Sequence, residues 1–221
     1  MNRVFSVGLG LLVAVATFAG TANAGTMISP VSVSSDMGEF SGDFALAYLI
    51  DQSGLSAGYT SGVTDFDTYF AGNPTADDSE FSYWFPPANG PMGYLQFDFA
   101  QTVTLASMAV WNVPTASGIK TFNLVADDDG DFTNGGTITL LSAQEIDNNG
   151  AANAVPAQIV NFTPTSLLAI RIEVTETQLP DTFAAAAREV AFGTGTAAIP
   201  EPASIALLAS GSLVLIRRRR R

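Results

Sequence analysis

Carboxylates dominate the chemistry open to this 221-residue chain, which contains no histidine and no cysteine. Without those two residue types there is no Ser-His-Asp or Cys-His relay, no disulfide, and none of the usual zinc or copper ligands. Asp65, Asp67, Asp77, Asp78 and Glu80 lie close together in sequence, and a carboxylate pair is the machinery of a glycoside hydrolase. Nothing in the sequence fixes the separation of any two of them, so that reading rests on residue types alone. The run Asp127-Asp128-Asp129-Gly130-Asp131 offers oxygen ligands to a hard cation such as calcium. Its spacing is not that of an EF-hand loop, and Asp and Gly serve a β-hairpin turn equally well. The hairpin is the preferred reading, with the metal reading kept beside it. Phe81, Tyr83, Trp84 and Phe85 precede Pro86-Pro87, and exposed rings there can stack on sugars. The segment Gly54–Gly62 is glycine-rich but lacks the Gly-Lys-Ser/Thr ending of a phosphate loop and reads as surface.

The elements that must position these groups read as strands. Tyr94–Phe99 alternates apolar with polar, as do Thr102–Leu105, Thr121–Leu124, Thr137–Leu141 and Ile170–Val174. Met108 and Val110 resume the alternation in shifted phase, which predicts a bulge or bend near Ala106-Ser107. Val190 and Phe192 mark a short final strand, and Trp111 reads as strand packing. Gly, Asn, Asp and Pro clusters separate the runs, a pattern that predicts an all-β sandwich. Helix is confined to a turn or two at Phe44–Ile50 and another at Thr182–Arg188, while 141–157 and 193–199 read as loop or linker.

Both ends differ from this body. Met1-Asn2-Arg3, an apolar run Val4–Phe18 and the small-x-small site Ala22-Asn23-Ala24 predict a signal peptide over 1–24, cleaved before Gly25. At the other end Pro200-Glu201-Pro202 precedes an uncharged stretch, 203–216, then Arg217, Arg218, Arg219, Arg220 and Arg221. Fourteen residues make a short membrane segment, and the arginine run opposes transfer across a bilayer. The expected plan is a signal peptide at 1–24, a sandwich domain at 25–193, a linker at 194–199 and a sorting tail at 200–221. Between the ends, at 25–199, 20 acidic side chains face three basic ones, Lys120, Arg171 and Arg188, for a formal charge of −17. Such a body repels nucleic acid and anionic lipid.

The tail resembles the PEP-CTERM sorting signal of exported proteins in exopolysaccharide-making Gram-negative bacteria. The resemblance implies Pro200, Glu201 and Pro202 as recognition motif, 203–216 as transmembrane segment and the five arginines as membrane stop. It also implies an exosortase as processing partner, with transient inner-membrane anchoring before release to the envelope or the extracellular matrix.

The body resembles the discoidin-like, coagulation-factor type C domain. The matching pieces are Leu49-Ile50-Asp51, Trp84, Gly93–Phe99, Val103–Trp111, Phe122–Phe132, Ile170–Val174 and Arg188–Gly193. The chain departs from the family in the long stretch between Asp51 and Trp84. The resemblance implies a galactose-binding-like jelly-roll sandwich with Trp84 in the core, which leaves Tyr83 and Phe85 as candidate ligand contacts. It further implies Asp51 and Glu189 as ligands of a structural Ca2+, the one cofactor expected. Together the two resemblances imply a non-catalytic cell-surface or matrix protein that binds carbohydrate, with exopolysaccharide as its partner. A matrix protein without a ligand and a carboxylate-dependent glycosidase stand as alternatives.

Overall fold

The computed structural model describes residues 24–77, 83–87, 92–114, 117–147, 154–179 and 185–195. The signal peptide through Asn23 and everything after Gly195, sorting tail included, lie outside the described residues. Among the described residues no helix is long and apolar enough to cross a membrane.

Two long strands organise the molecule, β4 (Tyr94–Asn112) and β8 (Gln158–Thr177). The strands before β4 are β1 (Ala24–Ile28), β2 (Ser32–Ser35) and the short β3 (Thr75–Asp77). Between β4 and β8 come β5 (Ile119–Asp127), β6 (Ile138–Glu145) and β7 (Ala154–Pro156), and β9 (Ala187–Gly195) closes the chain. Hydrogen bonding runs in the order β1-β9-β4-β8-β5-β6, with β2 also on β4 and a separate pair β3-β7. All of these strand pairs are antiparallel.

The two long strands belong to both layers of a sandwich. Tyr94–Asp98 of β4 pairs with Ala169–Glu173 of β8 beside β2 and β5, whereas Ser107–Val110 pairs with Gln158–Asn161 beside β9. The register slips between Asp98 and Val103 and again between Leu105 and Ser107. The second slip is the bulge expected from the phase change at Ala106-Ser107. Leu95, Phe97 and Phe99 of the first layer are buried against Met108, Val110 and Phe192 of the second. Phe192 meets Phe97 and Phe99 edge-on, with 5.4 Å between ring centroids in each case. This is the sandwich that the alternation predicted, in the jelly-roll form that the discoidin-like resemblance implied.

The described part of the stretch between Asp51 and Trp84, residues 52–77, covers the outer face of the second layer. Its helix α1 (Phe66–Ala71) is capped by Asp65, whose carboxylate accepts from the Thr68 amide at 2.8 Å. Met27, Tyr59, Phe66, Ala76, Ala109, Trp111 and Ala191 form a second apolar cluster there. Trp111 is therefore packing, with its indole donating to the Pro74 carbonyl at 3.1 Å. A Cβ at Gly193 would stand 2.6 Å from the Phe66 ring, so α1 can seat only over glycine.

Three local expectations are corrected. Residues 141–157 are not all loop: β6 runs through Glu145 and β7 spans Ala154–Pro156. Of the turn of helix expected at Thr182–Arg188, residues 182–184 lie outside the described residues, while Ala187 and Arg188 are strand, because pairing with β4 outweighs alanine's helix propensity. β9 runs on to Gly195, into the start of the segment read as linker, and Ala24, the last residue of the expected signal peptide, pairs with Gly195.

Candidate functional site

Four rings gather at one end of the sandwich. The Phe40 amide donates to the Phe85 carbonyl at 2.9 Å and the Phe85 amide to the Phe44 carbonyl at 3.5 Å, tying two loops together. Phe44 lies 5.2 Å from Tyr83 and 6.0 Å from Phe85, centroid to centroid, while Phe40 lies 5.9 Å from Phe44 and 6.1 Å from Phe85. Tyr83, Phe85 and Phe44 are half-buried, and Phe40 is 57% exposed. Beneath them Trp84 is fully buried and its indole donates to the Gly38 carbonyl at 3.0 Å, the core role expected of it. Backbone bonds between Trp84 and Ala187 lock this loop to the start of β9. The Arg188 guanidinium sits 5.5 Å from the Tyr83 ring centroid and donates to the Asp77 carbonyl. The sequence singled out Tyr83 and Phe85 but missed Phe40 and Phe44. No periodicity marks those two, and only the tertiary contact brings them in.

Glu189 lies on the other side of β9's start, beneath the segment after Asp51. It is fully buried, with Oε2 accepting from the Gln52 amide at 3.1 Å and Oε1 without a partner. Burial pushes its carboxyl up to about 9; the Gln52 amide opposes this and the Asp51 charge adds to it. Asp51 is exposed and accepts from the Ser53 amide at 2.7 Å, while the buried Ser53 hydroxyl has no hydrogen-bond partner. Burial, together with the Glu189 charge, also raises the Tyr69 phenol to about 12. An orphaned carboxylate oxygen, an orphaned hydroxyl and a neighbouring carboxylate form the kind of oxygen set that a hard cation takes. The residues thus fit a structural Ca2+. Beside them Gly54, Leu55, Ser56, Thr75, Asp77 and Ala154 line an open groove of about 410 Å3.

The carboxylates considered for glycosidase chemistry are scattered in role. Asp65 caps α1 and is held below the usual carboxylate range by hydrogen bonds from Thr68. Asp67 is exposed on α1 and Asp77 is exposed in β3, whereas Asp78 and Glu80 lie outside the described residues.

The solved structures that the chain resembles include sugar-binding modules. The chain is similar to chitosan-binding module 2 of a Paenibacillus sp. IK-5 chitosanase/glucanase, solved with chitotriose. That match has a TM-score of 0.50 and 9% identity over 76% of this chain and 98% of that one. A second match is a Clostridium perfringens structure holding two CBM32 modules and an M60 catalytic domain, with a TM-score of 0.52 and 12% identity. It covers 77% of this chain and only 15% of that multidomain chain. These likenesses show that the chain shares the β-sandwich fold of those modules. At the C-terminus, residues 198–221 match the PEP-CTERM protein-sorting motif. No curated protein matches the chain.

Proposed function

We propose that this chain is an exported, non-catalytic carbohydrate-binding protein whose contact surface is the ring cluster Phe40, Phe44, Tyr83 and Phe85. The observation that carries the reading is four aromatic rings, one of them 57% exposed, gathered on loops that a buried tryptophan holds in place. Aromatic faces on a rigid support are how shallow sugar sites gain affinity. The tail supports export, with exosortase as the sorting partner reading Pro200, Glu201 and Pro202 and the arginines Arg217–Arg221 as stop. Asp51 and Glu189 hold a structural Ca2+ that fixes the neighbouring loop to β9.

Two further features narrow the glycan. The 25–199 body carries a formal charge of −17, which disfavours acidic polysaccharides and suits neutral or cationic ones, as in an amino-sugar polymer. Gly195, where β9 ends, lies eight residues along that strand from the Trp84–Ala187 bridge. At about 3.3 Å per residue that separation is roughly 26 Å, so the rings sit at the opposite end of β9 from Gly195.

Titration of the purified protein with neutral, cationic and acidic polysaccharides tests this reading. Saturable binding to a neutral or cationic glycan, lost in Tyr83→Ala and Phe85→Ala without change in melting temperature, is the expected result. A flat response to all sugars would favour a ligand-free matrix role, and turnover of any of them would make the protein a hydrolase.

A further inference from the structure

The β5–β6 connection is a hairpin, as Ala126↔Ile138 and Val125↔Thr139 pairing requires, but its loop of residues 128–137 is far longer than a tight turn. Side chains of the loop itself order it. Asp127 Oδ1 accepts from the amides of Asp129 and Gly130 at 3.1 and 2.7 Å. Asp129 accepts from the Asp131 amide and from the Asn134 side chain, and Asp131 accepts from Thr133. Phe132 stacks on Arg171, which lies 3.9 Å from its ring centroid and 4.0 Å from that of Tyr94, so the loop is clamped to the sheet face.

Turn geometry alone does not explain the other half of Asp127. The residue is 1% exposed, yet Oδ2 has no hydrogen-bond partner. A buried carboxylate oxygen left unpaired is costly, and native structures seldom keep one without a ligand. Oδ2 does not point into apolar packing. A Cβ on Gly136 would stand 3.4 Å from Asp127 Oδ2, 3.2 Å from Asp128 Oδ1 and 3.2 Å from Asn134 Oδ1. Carboxylate oxygens of Asp127, Asp128 and Asp129 all lie within 4.8 Å of one another. Three side-chain oxygens therefore converge beside Gly136, where only glycine leaves them room: Asp127 Oδ2 is buried and unpaired, and Asn134 Oδ1 also accepts from the Gly136 amide at 2.9 Å.

We infer that this hairpin binds a divalent cation, calcium, between Asp127, Asp128 and Asn134, at a site independent of Glu189. Every donor is oxygen, with neither imidazole nor thiolate available, which selects a hard ion. The mixture of carboxylates with an amide carbonyl on a loop suits the larger and more adaptable calcium over magnesium, which keeps its waters and demands octahedral geometry.

The test is calorimetric titration of the purified protein with Ca2+ alone and with Mg2+ alone, using wild type, Asp127→Asn, Asp128→Asn and Glu189→Gln. Asparagine at 127 preserves the Oδ1 acceptor of the turn, and Asp128 is exposed, so at least the second variant folds; circular dichroism checks both. Glu189→Gln should still bind Ca2+ at one site. Asp127→Asn and Asp128→Asn should weaken that site by about tenfold or more, since calcium affinity follows ligand charge. The inference falls if Glu189→Gln binds no Ca2+, or if both hairpin variants bind as wild type does. Equal affinity for Mg2+ would overturn the choice of ion.

Discussion

Glu189 and Asp127 are both enclosed carboxylates, 0% and 1% exposed, yet the fold treats them differently. Glu189 sits at the start of β9, roofed by the segment after Asp51, and receives one amide hydrogen bond, from Gln52. Asp127 ends β5 and receives two amides from the loop it begins. Each keeps one oxygen without a partner. A carboxylate roofed by an inserted layer loses water faster than it gains donors, so its proton is held up to about 9. A carboxylate at the head of a loop turns that loop's own amides inward. Asp129, two residues along, shows the same logic in the open: the Asp131 amide and its other loop partners hold it below the usual carboxylate range.

The largest way to break this contrast is to remove the roof. Phe66, 4% exposed, holds α1 against Gly193, and Phe66→Ala should cost about 3–5 kcal/mol in denaturant unfolding. It should also return Glu189 toward ordinary acidity while leaving the hairpin's Ca2+ affinity unchanged. The next effect sharpens the contrast through pH. The Glu189 carboxyl moves from 4.5 to about 9 on folding, so between those values the folded chain holds a proton the unfolded chain has released. Stability is then full below the ordinary carboxyl value and falls as pH rises through this window. Measured in chelator, the fall should be about 2–3 kcal/mol between pH 6 and pH 8, and Glu189→Gln should flatten it. A wild-type profile already flat there would mean that Glu189 is solvated.

The sandwich was legible because its strands are one-sided where it counts. Leu95, Phe97 and Phe99 face the core with polar residues between them, and the alternation of Ile170, Ile172 and Val174 tells the same story. The first half of β8, Gln158–Ser166, was not legible, because it exposes Ile159 and buries little, so no apolar period marks it. β9 was read too short for the opposite reason. It is buried on both faces through Gly193, and Ala187 and Arg188 carry no alternation to betray a strand. The insertion's role as a second apolar layer depends on Phe66 meeting Gly193 across more than a hundred residues, which no local pattern encodes. At the site, Tyr83 and Phe85 could be named from a run of aromatics before two prolines, and the hairpin from its Asp-Gly chemistry. That Asn134 returns to bond Asp129 could not, since it depends on how the loop closes.

Smaller perturbations probe the hairpin's clamp. Arg171 lies between the Tyr94 and Phe132 rings and donates to Gln96 at 2.9 Å, so Arg171→Ala frees the loop without touching an acidic residue. A loss of about 1–2 kcal/mol is expected from two cation–π contacts on a partly desolvated face. Amide exchange should quicken in residues 128–137 and stay unchanged around Gln52. If exchange quickened equally at both places, the two regions would be one cooperative unit and the contrast would dissolve. The smallest effect belongs to a pair outside both regions. Lys120 and Glu176 meet at 2.9 Å with side chains 44% and 54% exposed, and their mutual attraction raises the lysine and lowers the glutamate. Water and salt screen such a pair, so Lys120→Ala should leave the melting temperature unchanged. A clear drop would show that a charge already outnumbered in this acidic body restrains self-repulsion, and the calcium titrations would then need comparison at matched ionic strength.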